Sequence, residues 1–398
     1  MRWFKTHLDQ IIYGLTTLAV VFPLISIAVS QIFLALAILG FLLDRSLNPQ
    51  KRLFFPPFKL PLALFIGTTL ISWIFSPEPE IGFPPINKFW LFVIVLLVTN
   101  YFSQKRLHLA YQALFFFGLV SASFALVQYI VPSLGSIQGR LTGFMGHWMT
   151  LSGGLMLVFI SLAGYTIYAA PKKIVLWLMA LSFLGGTLVL TLTRSVWVAS
   201  LTGLMGAIGL RFPIWKTLLI IGLVGIILMA SIPESVQTRL VSIWNPQDPS
   251  NYARLAIWKT GFDMIQKNPW VGVGPQRVSK VFFDYHPDPQ ARHRSGFFWI
   301  HMHNNLLQLA VERGIPCALA WLWLVLQIGL DHYRGFRQAP IPSLEKSIYA
   351  IGFLNVGVLF LAGLFEFNFG DSEILMVFLF LASSPYVLNS AIQKVIAS

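Results

Sequence analysis

The chain has 398 residues, of which 56 % are hydrophobic and 11 % charged, whereas an ordinary soluble domain carries about 25 % charged residues. With a mean hydropathy of +0.71, this excludes a soluble enzyme and predicts one continuous helical domain, 1–398, lying mostly in lipid. A formal charge of +13 remains to be explained, and the single cysteine, Cys317, excludes internal disulfides and Cys-based zinc sites.

A membrane-spanning helix needs about 20 mostly apolar residues. The first apolar run, Ile11 to Leu43, is too long for one helix and has Pro23, Ser26 and Ser30 in its middle. It predicts two spans joined by a tight turn. Further spans are expected at Leu60 to Phe75, Phe89 to Phe102, Leu109 to Val131, Met149 to Ala170, Ile174 to Leu192, Val196 to Leu210 and Leu218 to Ile232. Ile315 to Leu330, Ile348 to Phe365 and Ile374 to Leu388 complete an all-α, polytopic chain of about twelve spans, with Phe89 to Phe102 the shortest. The pairs Pro56-Pro57 and Pro84-Pro85 read as loop punctuation. Gly203 with Gly206, and Gly222 with Gly225, offer close-packing points between helices. One large loop, 233–302, separates spans nine and ten. Its core, Asn251 to Lys267, predicts a short helix begun by Ser250 or Asn251, stopped by Asn268-Pro269 and suited to the membrane surface.

Twelve spans put both termini on one side, and the positive-inside rule tests this. The inner loops and termini carry 16 basic and 4 acidic residues, a balance of +12; the outer side keeps 12 basic and 11 acidic, a balance of +1. The charge excess therefore orients the chain, with both termini cytoplasmic, the 233–302 loop outside and no call for nucleic acid as a partner. The N-terminal run lacks a small-x-small cleavage site and reads as an uncleaved first helix.

The informative polar residues are those on the outer side. Arg140 opens Arg140-Leu-Thr-Gly-Phe-Met-Gly-His147 before a span, and Arg194 sits between two spans with almost no loop. Arg194 is either a snorkelling anchor or part of a polar site. Arg254 starts the outer helix and by itself fits a solvated interfacial face. Of eight histidines, His147, His286, His293, His301 and His303 are outer. His301-Met-His303 near Asp284, His286 and Asp288 invites a zinc reading, but helical His spacing, an HExxH motif and a Cys ligand are all missing, so no metal is expected. Two readings of His303 stay open: a general base, since neutral imidazole can take a proton from a hydroxyl, or part of a polar helix cap before Leu306. Val271-Gly-Val-Gly274-Pro275 reads as a turn, and Phe365-Glu366 to Glu373 puts three acids at an outer helix junction.

Taken together, these motifs resemble the O-antigen ligase and O-antigen polymerase superfamily of bacterial envelope glycosyltransferases, more closely its ligase-like branch. The resemblance rests on Arg140-Leu-Thr-Gly-Phe with His147-Trp-Met-Thr150, Leu192-Thr-Arg194-Ser195, Arg254 with Trp258 leading to Asn268-Pro269-Trp-Val-Gly272-Val-Gly274, His301-Met-His303-Asn304-Asn-Leu-Leu-Gln308, and the ending Glu366-Phe-Asn-Phe-Gly-Asp-Ser-Glu373. It implies inverting, metal-independent transfer of a glycan from undecaprenyl diphosphate to a lipid A-core acceptor at the periplasmic face of the inner membrane, without a cofactor. It also implies that Arg194 and Arg254 bind the diphosphate and that His303 is the catalytic base, with Arg140, His301, Asn304 and Glu366 auxiliary. Guanidinium forks match phosphate oxygens and can stabilise a departing diphosphate without a metal. The rivals are a polymerase joining carrier-linked repeat units, a protein-acceptor variant, a small-anion (bicarbonate-type) transporter and an inactive envelope protein. A transporter is expected to show inverted repeats and ionisable groups at mid-membrane; here the ionisable cluster lies at one surface.

Overall fold

Lipid offers no water to satisfy peptide groups, so apolar runs of this length close their hydrogen bonds internally as helices. The computed structural model describes residues 2–134, 140–213, 215–216, 234–245, 247–286 and 301–389, and among these it is helical with no strand. The first part of the chain forms α1 (Arg2–Val21), α2 (Ile27–Leu47), α3 (Lys59–Ile74), α4 (Phe83–Tyr101), α5 (Gln104–Ile130), α6 (Trp148–Tyr168), α7 (Ile174–Leu190) and α8 (Arg194–Gly209). Elements α9 (Glu234–Val241), α10 (Pro249–Lys267), α11 (Val278–Tyr285) and α12 (Asn305–Arg313) follow, and α13 (Ile315–Gln338), α14 (Leu344–Ala362) and α15 (Ser372–Ser383) close the bundle.

Among the described residues, eight helical segments are long and apolar enough to cross a membrane: His7–Leu24, α2, α4, α5, α6, α13, α14 and Ser372–Asn389. Of the other four expected spans, two coincide with the shorter apolar helices α3 and α7, and a third with α8, which has 16 residues. The fourth, Leu218 to Ile232, lies outside the described residues, as do Gly222, Gly225 and His293. The run from Ile11 to Leu43 divides at a 3-10 turn, Phe22–Leu24, after which the Ser26 side chain caps α2. One expectation needs correcting. Pro84 and Pro85 are not loop punctuation but lie in the first turn of α4, so the helical run begins at Phe83 rather than Phe89. Proline loses nothing there, because first-turn N–H groups lack an intrahelical partner anyway and the fixed φ suits the helix.

Burial sorts the helices. On α6 almost every residue from Thr150 to Tyr168 is buried, and Gly164 lets the α14 backbone come close, its Cβ position lying 3.5 Å from Ile351 N. By contrast α2 and α7 turn Ile32, Leu39, Val175 and Met179 outward, the lipid-facing pattern. Gly203 does serve close packing: a Cβ there would overlap Val358 and Ile160, whereas Gly206 meets only Leu354, at 3.6 Å.

Elements α10 to α12 have a small core of their own, made of Ile257, Met264, Val273, Val278, Phe282, Met302, Leu307 and Val311. The Val271–Pro275 turn lies along the end of α12, with Val273 N donating to Val311 O (2.9 Å) and Gly274 N to Glu312 O (3.0 Å). Gly272 and Gly314 have φ of 68° and 85°, and a Cβ on either would overlap the facing backbone. These two glycines thus let the turn and the end of α12 meet backbone to backbone.

Candidate functional site

Arg194 is the first residue of α8, after the N-cap Thr193 and two residues beyond Leu192, whose φ is +55°. Its Nη1 donates to Ser242 O (2.9 Å) and Oγ (2.8 Å), and its Nη2 to Asp248 Oδ1 (3.2 Å). Asp248 is also the N-cap of α10, accepting from Ser250 N and Asn251 N. The helix therefore starts earlier than the sequence suggests. Pro249 takes the first helical position and Asp248, not Ser250 or Asn251, supplies the cap.

One turn into α10, Arg254 donates from Nη1 to Ser250 Oγ (3.0 Å), while its buried Nε has no hydrogen-bond partner. Burial lowers its pKa against the opposing charge of Glu366, and Arg194 and Arg239 add to the lowering. A further turn along, Trp258 Nε1 donates to Met302 O (3.0 Å), tying α10 to the histidine segment. Arg140 lies 4.9 Å from the Trp148 ring. Burial, then Arg239, Arg194 and Arg254, pull its pKa down to about 10. Four guanidinium groups thus share one neighbourhood. Arg239 is the member that sequence reasoning missed, because nothing around it in the sequence marks it as different from a solvated loop charge.

The histidines meet a carboxylate from the far end of the chain. His303 Nδ1 lies 3.2 Å from Glu366 Oε2, and His301 Nε2 lies 3.6 Å from Glu366 Oε1. Burial opposes ionisation of Glu366, but the His303 hydrogen bond, the His303 and His301 imidazoles and the Arg254 guanidinium prevail and hold its carboxyl down at about 2. An ionised carboxylate only accepts, so Nδ1 of His303 carries the proton it shares with Glu366; in the neutral ring of that tautomer Nε2 is the acceptor. His303 N donates to His301 Nδ1 (3.2 Å), which places the His301 proton on Nε2, toward Glu366. Burial drives the pKa of His301 down to about 4 despite Glu366, keeping it neutral. His303 itself has φ +48°, a left-handed backbone that histidine, asparagine and aspartate adopt more readily than other side chains.

Asn304 is the N-cap of α12. Its Oδ1 accepts from Leu307 N (2.9 Å) and its Nδ2 donates to Leu364 O (2.9 Å), so both polar ends already hold backbone in place. The cap reading therefore applies to Asn304, and His303 precedes it with its ring on Glu366. His147 caps α6, stacks on Trp148 (4.2 Å) and has its pKa lowered by burial. Asp371, hydrogen-bonded by Thr150 Oγ1 (3.1 Å), is pushed up to about 7 by burial and by the charges of Glu366 and Glu373.

Among the described residues, His301, His303 and Glu366 form the one group able to hold a metal ion, their donor atoms all within 4.8 Å of one another. The third donor is Glu366 rather than Asp284 or His286, the neighbours that the sequence offers; the His286 ring packs on Phe282 and Phe283 instead. As the side chains stand, His303 is hydrogen-bonded to one carboxylate oxygen and His301 lies just beyond that reach of the other.

The O-antigen ligase family model matches residues 174–322, a segment that holds Arg194, Arg254, His301, His303 and Asn304 but neither Arg140 nor Glu366. Over that segment, a little over a third of the chain, the protein is similar to the O-antigen ligase family. No curated protein matches the chain.

Proposed function

We propose, with the O-antigen ligase match as premise, that this protein transfers a glycan from undecaprenyl diphosphate to lipid A-core, with inversion and without a metal. The chain acts as about twelve spans in the inner membrane, both termini cytoplasmic, with the 233–302 loop and the site on the periplasmic face. The observation that carries the reading is the His303–Glu366 pair beside an incompletely partnered Arg254.

The acceptor hydroxyl attacks the anomeric carbon while its proton passes to His303 Nε2. The bond from that carbon to the diphosphate oxygen breaks, and the electron pair leaves with undecaprenyl diphosphate. Glu366 holds the His303 tautomer and stabilises the imidazolium, as a positioning residue. Arg254 faces the growing negative charge, supported by Arg140, Arg239 and Arg194. The test is purified protein given lipid-linked glycan, with lipid A-core and carrier-linked repeat units offered separately. Product on lipid A-core is expected; product only on the carrier-linked units selects the polymerase reading, and no product with either acceptor rejects glycan transfer.

A further inference from the structure

A further cleft, of about 80 Å³, lies between α4, the end of α12 and the 367–370 segment. Lys88, Glu312 and Arg313 line it, together with Phe65, Phe89 and Phe367. Charged side chains this deep normally find full hydrogen bonding. Here Arg313 is 6 % exposed, and its buried Nε has no hydrogen-bond partner. Glu312 Oε2 stands 3.8 Å from that nitrogen, beyond hydrogen-bond reach. Glu312 Oε1 is taken by Gln276 N at 2.8 Å, and Arg313 Nη1 reaches Thr69 Oγ1 only at 3.4 Å. Lys88 Nζ spends one donor on Gly370 O (2.6 Å) and has two more. Burial raises the pKa of Glu312, weakening its claim on both cations.

The cleft adjoins the histidine pair. Phe367 follows Glu366 in the chain, and its ring centroid is 6.2 Å from that of His301, so the cleft and the histidine pair share Phe367 as a common wall. Aromatic walls with under-partnered cations at the base suit an anionic sugar, its apolar CH face against the rings and its charge on the ammonium and guanidinium.

We propose that this cleft binds a phosphate- or carboxylate-bearing sugar of the glycosyl acceptor, through Lys88 and Arg313. This rests on the transferase reading above. The experiment uses the full chain in phosphatidylcholine nanodiscs, with deacylated, phosphorylated core oligosaccharide and the same oligosaccharide after dephosphorylation as binding probes. The phosphorylated probe is expected to bind at least about tenfold more tightly, and Lys88→Gln to remove that preference. The ligand-side comparison stands even where a variant misfolds. Equal binding of the two probes overturns the proposal. So does loss of the preference in phosphatidylglycerol nanodiscs, which assigns the cations to a lipid headgroup. Transfer by the wild type with equal probe binding removes only the cleft assignment. A clear phosphate preference in a protein that transfers nothing keeps an anionic-sugar site and removes the transferase reading.

Discussion

Around Arg194 the protein supplies its own acceptors: the backbone and hydroxyl of Ser242 and the carboxylate of Asp248, which also caps α10. Around Arg254, one turn into the same helix, it supplies a single serine hydroxyl and leaves the buried Nε bare. The same side chain is a strut in the first place and an unfinished socket in the second. A guanidinium tied to several protein acceptors fixes geometry, whereas one left mostly open has capacity for phosphate oxygens. The difference also ranks the two arginines, which the sequence alone presents as equals.

The largest effect is expected at the base that the open arginine faces. His303→Ala should lower turnover by about 10²–10⁴-fold, the usual contribution of a positioned general base, with the protein still inserted and helical by circular dichroism; retained turnover would sink the assignment. Next, Arg254→Lys should reduce kcat/KM by about 10²-fold with little change in Tm, since the lysine keeps the charge and loses the fork. Arg194→Lys should instead act together with Asp248→Asn: each lowers Tm, and the double variant is no worse than either, with a coupling of about 1–3 kcal/mol. If Arg194→Lys lowers activity at constant Tm while Arg254→Lys lowers Tm, the roles are reversed.

A smaller effect is expected from pH. His301 is held down at about 4 against an ordinary value near 6.5. Between these values the unfolded chain binds the extra proton, so stability is full above about pH 6.5 and declines as pH falls toward 4. His301→Gln should flatten that decline in Tm. The contribution of Glu366, held at about 2, is present above its unfolded pKa near 4.5 and is lost only as pH falls toward 2. The smallest effect is expected from EDTA, which should leave transfer unchanged; loss of activity restored by one divalent metal would convert His301, His303 and Glu366 into its ligands.

Much of the fold was legible because long apolar runs in lipid have few alternatives to a helix. The boundaries were less so. Pro84 and Pro85 look like a break but occupy the one turn where a missing N–H is harmless, and Pro249 concealed the Asp248 cap in the same way. At the site, order along the chain pointed to Arg194, Arg254 and His303. What gives His303 its tautomer is Glu366, 63 residues on, and what distinguishes Arg254 is a partner it lacks. Pairings across the bundle of this kind follow from packing, and no local spacing encodes them.

The left-handed backbone at His303 bears on how the residue is best probed. Most side chains carry roughly 1–2 kcal/mol of conformational cost there, whereas histidine and asparagine both tolerate it better. Alanine at 303 therefore removes the imidazole and disturbs the backbone together, and His303→Asn removes the imidazole while keeping a residue suited to the turn. The two variants separate a chemical loss from a conformational one, which either alone would confound.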